Sequence, residues 1–200
     1  LNGAAPSAYR AILYPLWLSR LPRNSRPGAV RLAAASLSTL SLLLVFYLGR
    51  TLHSDLCGLL AMTLCAFDYL QIKAAASVRI ECFYGFLVLI VAVALVQWAR
   101  APDARKTLRL GLALGVSLLC RSTLFMLPPL LAIIALIRGQ GRLRSIQTAL
   151  LLGTASYAVL LPWTIRNARH FGEFVPFERH AAIGGGVRHD KASPPELRKG

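Results

Sequence analysis

The sequence predicts an all-α membrane protein: a polytopic helical bundle of about six transmembrane helices, including a short hairpin with arginine at its tip. Three observations predict it. Hydrophobic residues fill 56% of the 200 positions, and mean hydropathy is +0.55. Only 16% of residues are charged, yet Lys and Arg outnumber Asp and Glu 23 to 8, for a net charge of +15. Those charges lie between long apolar runs. A nucleic-acid binder would instead gather them on a soluble face among polar contacts, so nucleic acid is not an expected partner. Basic loops between membrane spans account for both numbers.

The segment 1–28 contains "AYRAILYPLWLSRL", which mixes Arg10 and Arg20 with Tyr9, Tyr14 and Trp17. It reads as an external helix lying in the membrane interface. A hydrocarbon core of ~30 Å needs roughly 20 helical residues, and about 17 suffice. Ala29–Leu48, Leu56–Ile72, Cys82–Trp98 and Ile146–Trp163 meet that standard. Charge bounds each of them: Arg50, Lys73, Glu81, Arg100, Arg144 and Arg166.

Leu108–Ile137 is apolar but interrupted by Arg121. Its flanks, "RAPDARKTLR" and "RGQGRLR", are both strongly basic, which places both in the cytoplasm. An even number of crossings must join them. The stretch is therefore a hairpin with its tip at Cys120-Arg121-Ser122. Arms of about thirteen residues are about 20 Å long, so the tip sits below the outer surface. Pro128-Pro129 suggests a kinked second arm shielded by neighbours. Counting outward puts both chain ends on the outer side. The bundle covers 29–163, and 164–200 begins an outer segment.

The chain begins at Leu1 without a signal-peptide pattern, and no acidic residue precedes Asp55. It reads as part of a longer protein. Cys57, Cys65, Cys82 and Cys120 lie in or beside apolar runs without metal-ligand spacing and read as small buried residues. Gly111 and Gly115, in "GLALG", have the small-xxx-small spacing of a close helix contact. Gly184-Gly185-Gly186 is a weak candidate anion nest, and His180, His189 and Asp190 a weak metal set. No Walker motif, Ser/His/Asp set or CxxC is present.

Four residues are candidates for substrate binding. Arg121 within the membrane costs ~2.5–3.5 kcal/mol on insertion scales, so it either faces a cavity or finds a partner. A phosphate suits its two-pronged fork; snorkelling to lipid, or pairing with Asp68 or Glu81, is the plainer alternative. Glu81 begins an apolar run, where a carboxylate favours the helix dipole. Equally, it could line an outer cavity, as a sugar ligand or a catalytic group. Asp68, in "CAFDYLQIK", is an intramembrane acid or a partner of Lys73. Arg166, beyond Pro162-Trp163, adds positive charge on the side where the charge rule disfavours arginine. Arg169 belongs with it. An anionic ligand and lipid headgroups both fit that cluster.

Three stretches carry a family resemblance. "YRAILYPLWLSRL" resembles the segment after the first outer loop of bacterial membrane glycosyltransferases. "LGLALGVSLLCRSTLFMLPPLLAIIAL" resembles their paired short helices, basic at the tip and with proline in the second. "LPWTIRNARHFGEFVPF" is similar to their exit motif. The family is the GT-C group that uses polyprenyl-phosphate sugars, such as the protein O-mannosyltransferases and lipid A aminoarabinose transferases. The resemblance implies a multi-pass enzyme of the cell membrane, in bacteria the inner membrane. It would take a sugar from a polyprenyl phosphate to a protein, lipid or glycan acceptor outside the cytoplasm. By position, Arg121 would contact the donor phosphate, Glu81 would stand beside the active site, and Arg166 would start the second large outer loop. The family's catalytic carboxylate lies in the first outer loop, and residues 1–54 hold no Asp or Glu. The base is therefore expected upstream of Leu1, and these 200 residues are expected to be inactive alone. No cofactor is implied with certainty, and a divalent metal stays open. The competing class is a non-catalytic transporter or assembly subunit for an anionic lipid-linked substrate. Transporters are often built from matching halves, and none are visible here.

Overall fold

The computed structural model describes residues 13, 16, 17, 26–76, 80–138 and 141–171. Its elements are helical: α1 (Arg26–Leu52), α2 (Asp55–Ala66), α3 (Tyr69–Ala76), α4 (Ile80–Arg100), α5 (Ala104–Cys120), a 3-10 turn (Ser122–Leu124), α6 (Leu127–Ile137), α7 (Arg142–Ala158) and α8 (Leu161–Phe171). No strand occurs among the described residues. Gly184–Gly186, His180, His189, Asp190 and most of 1–28 lie outside them.

Two helices, Gly28–Leu52 and Ile80–Arg100, are long and apolar enough to cross a membrane. In a water-soluble protein such helices would be core. Here only 11% and 17% of their apolar windows are buried. Leu64, Phe67 and Ile137 are 75–82% exposed. Leaving such side chains in water forfeits roughly 1.5–3 kcal/mol each, so this outer surface suits lipid.

Side-chain contacts give the direction of every long helix. Ser38 Oγ lies 3.3 Å from Cys82 Sγ, and Gln97 Nε2 donates to Tyr47 Oη at 3.3 Å, so α1 and α4 run parallel. Trp98 Nε1 donates to Thr107 Oγ1 at 3.1 Å, which ties the end of α4 to the start of α5. Thr107 Oγ1 donates onward to Asp103 O, so both buried polar groups are satisfied. A Cβ on Gly111 would lie 2.6 Å from that of Ala155, and one on Gly115 2.7 Å from that of Val159. The numbers rise together, so α5 and α7 are also parallel, and α6 is the returning helix that joins them in sequence.

The predicted hairpin is present, with differences. Helix α7 packs along both arms, which have little direct contact with each other. Pro128 and Pro129 do not kink the second arm; they open it, in a first turn whose N–H groups have no helical partner. The stretch Leu56–Ile72, read as one span, divides at Phe67-Asp68 into α2 and α3. Ile146–Trp163 likewise divides at Val159-Leu160, and the second piece stays helical to Phe171. The core is Val91 and Trp98 of α4, Leu110 and Leu114 of α5, Leu131 and Ala135 of α6, and Leu152 of α7.

Candidate functional site

The end of α5 meets the first turns of α4, and α7 packs along α5. At the tip, the Arg121 N–H closes α5 on Ser117 O at 3.0 Å. The Arg121 backbone then turns extended (φ −160°, ψ 135°), which frees its side chain from the helix and leaves it exposed. Its guanidinium lies 5.9 Å from the centre of the Tyr84 ring. That contact holds the cation by the ring's negative face and leaves its N–H fork open. Among the described residues Arg121 forms no salt bridge, so pairing with Asp68 or Glu81 does not explain it.

Glu81 stands on the first turn of α4, one turn before Tyr84, and is exposed. It forms no ion pair among the described residues. Its carboxylate both favours the positive helix end and sits on the helix that cradles Arg121. The two readings of Glu81 are compatible.

A strap runs from the tip to the exit helix. Tyr157 Oη donates to Phe125 O at 3.2 Å, and the two rings meet edge-on at 5.9 Å. Leu160 follows on the helix break, and α8 carries Trp163, Arg166 and Arg169. The Arg166 guanidinium lies 5.1 Å from the Trp163 ring centre and is exposed, as is Arg169. No contact joins Arg166 to Arg121. Asp68 is exposed in the break between α2 and α3. Its carbonyl accepts from Ile72 N–H at 3.0 Å.

The structure thus joins Arg121 to the Glu81 helix, sets Arg166 on the helix that follows α7, and puts Asp68 in the break between α2 and α3. Trp17 also reaches this end, its ring 5.4 Å from Phe83. Sequence reading missed Tyr84 and Tyr157. The signal for Tyr84 was its spacing of one turn from Glu81; Tyr157 had none, because its partner is a main-chain carbonyl 32 residues away. Among the described residues no group of three or more His, Cys, Asp or Glu could hold a metal.

A model of the dolichyl-phosphate-mannose-protein mannosyltransferase family matches residues 12–165. The chain belongs to this family. It is thus a mannosyltransferase-like membrane glycosyltransferase sequence, and the family setting is a membrane with a lipid-linked sugar donor. The match runs from the segment before α1 through the hairpin to Ile165 in α8, so every element described above except the end of α8 lies inside it. No curated protein and no solved structure matches the chain.

Proposed function

We propose that this chain forms the donor-phosphate side of a glycosyltransferase that moves a sugar from a polyprenyl phosphate to an acceptor outside the cytoplasm. One observation carries it: Arg121 is exposed at the hairpin tip, held by Tyr84 and free of carboxylate partners among the described residues. In transfer, the acceptor hydroxyl attacks the anomeric carbon and the sugar–phosphate bond breaks. The electron pair leaves with the polyprenyl phosphate, and the hydroxyl proton goes to a base. Charge therefore grows on the leaving phosphate, where a preorganised guanidinium stabilises it better than water does. Arg166 adds a second positive charge near the mouth, while Arg169 faces headgroups.

Glu81 is assigned to positioning sugar or acceptor, and Asp68 to a further substrate contact. In a transfer assay on the full-length enzyme, Glu81→Gln is expected to lose about tenfold in rate. A loss near the top of the 10²–10⁴ range of general bases would make Glu81 the base instead. Arg166→Gln should lose roughly 1–2 kcal/mol of transition-state stabilisation, less than a direct donor contributes. Arg169→Ala should stay near wild type. Equal effects of Arg166 and Arg169 substitutions would remove Arg166 from the site.

Orientation has its own test. In a cysteine-free background, Ser122→Cys should react with an impermeant thiol reagent added outside, whereas Leu143→Cys should not. The reverse pattern would put the Arg121 end in the cytoplasm and overturn the extracytoplasmic assignment.

A further inference from the structure

At the end of the bundle opposite Arg121, the last turn of α6 and the first turn of α7 meet the end of α4. A shallow, open cleft of about 10 Å³ lies there, lined by Trp98, Arg138, Arg144, Ser145 and Thr148 among others. Its hydroxyl is anomalous. Thr148, Thr154 and Ser156 of the same helix each donate to the carbonyl one turn back, as membrane-helix hydroxyls commonly do. Ser145 does not: it is 5% exposed, and its Oγ has no partner among the described residues. A buried hydroxyl without a partner is destabilising, which makes it a place for a ligand oxygen.

The surroundings select the charge of that ligand. Helix α7 is 17 residues long, and its N-cap position is Gly141, at φ +94°, without a side chain to cap the first N–H groups. Its positive end lies one turn from Arg144 and Ser145, which line the cleft. Arg138 and Arg144 line the same space, and neither meets a carboxylate among the described residues. Arg138 is steadied by the Trp98 ring at 5.7 Å and donates one N–H to Ala99 O at 3.4 Å, leaving most of its fork unused. Ile137 and Leu143, next to the two arginines in sequence, are 77% and 72% exposed. The cleft is thus cationic, and exposed apolar side chains suited to lipid adjoin its arginines in sequence.

We infer that the mouth of this cleft binds the phosphate of an anionic phospholipid, with Ser145, Arg138 and Arg144 around the headgroup. Basic clefts between helices on a basic loop face suit such headgroups. The site is remote from Arg121 and does not depend on the transfer chemistry.

Native mass spectrometry of the full-length protein in detergent, titrated with phosphatidylglycerol, tests it. One lipid should be retained, and phosphatidylcholine should be held on the order of tenfold less well. Arg138→Gln with Arg144→Gln should weaken phosphatidylglycerol retention by about tenfold or more. Ser145→Ala, which leaves the packing intact, should weaken it about threefold. Arg105→Gln, outside the cleft, should change nothing. Equal retention by wild type and all the cleft variants would overturn the site. Displacement of the lipid by inorganic phosphate at comparable concentration would show a soluble-phosphate site and overturn the lipid assignment.

Discussion

Replacing Arg121 with Gln in the full-length enzyme is expected to remove about 2–4 kcal/mol of transition-state stabilisation, the loss seen when one preorganised donor is deleted. That is a fall in transfer rate of roughly 30-fold to 1,000-fold. Expression and thermal stability should hold, because Arg121 is exposed and its side-chain contact is with the Tyr84 ring. Arg121→Lys should recover only part of the loss. Lysine restores a point charge over the ring but not two parallel donors for a phosphate. Tyr84→Leu is an intermediate case, since the guanidinium keeps its charge and loses its rest position. A structural role for Arg121 alone would give a different pattern, with stability falling and Lys equal to wild type.

The second large effect is expected at Gly115, which touches no ligand in this account. A Cβ there would come within 2.6 Å of Ser156 O and 2.7 Å of Val159 Cβ. Gly115→Leu must therefore push α5 and α7 apart, at a cost on the order of 3 kcal/mol or more. Lipid supplies no hydrophobic drive to restore the contact, because close packing itself holds such helices together. Helix α7 also holds the tip through Tyr157 and Phe125, so transfer should fall along with stability. Gly153→Leu is the control: a Cβ at that position of α7 meets nothing within 4 Å. Thermal unfolding in detergent should separate the two substitutions clearly. Similar melting of both variants would show that the α5–α7 seam is not what holds the tip.

Several of these features were legible in the sequence for physical reasons. Arginine is so costly in lipid that Arg121, between two basic loops, could only mark a turn. Gly111 and Gly115 repeat at the one spacing that lines a single helix face. What stayed hidden depends on contacts distant in sequence. Gly49 and Gly58 let α1 and α2 cross so closely that a Cβ on Gly49 would sit 2.6 Å from Gly58 Cα. They lie on different helices, so no spacing within one helix reveals them. The break at Phe67-Asp68 lies inside an evenly apolar run, where hydropathy shows a span and not its interruption; Asp68 alone marked it. The break at Val159-Leu160 falls just ahead of Pro162, which then fits the first turn of α8 without strain. That the arms of the hairpin pack through α7 was not readable at all, because apolar faces do not name their partners.

The central claim is that a polyprenyl-phosphate donor sits at Arg121. Photo-crosslinking tests it most directly: a benzophenone side chain at Thr123, on the exposed turn beside Arg121, and another at Thr154, on exposed α7 surface, with a radiolabelled polyprenyl-phosphate mannose as probe. A crosslink to the lipid is expected from Thr123 that fades when Arg121 is changed to Gln, with none above background from Thr154. A crosslink from Thr123 that is indifferent to Arg121, or equal labelling from both positions, would contradict it.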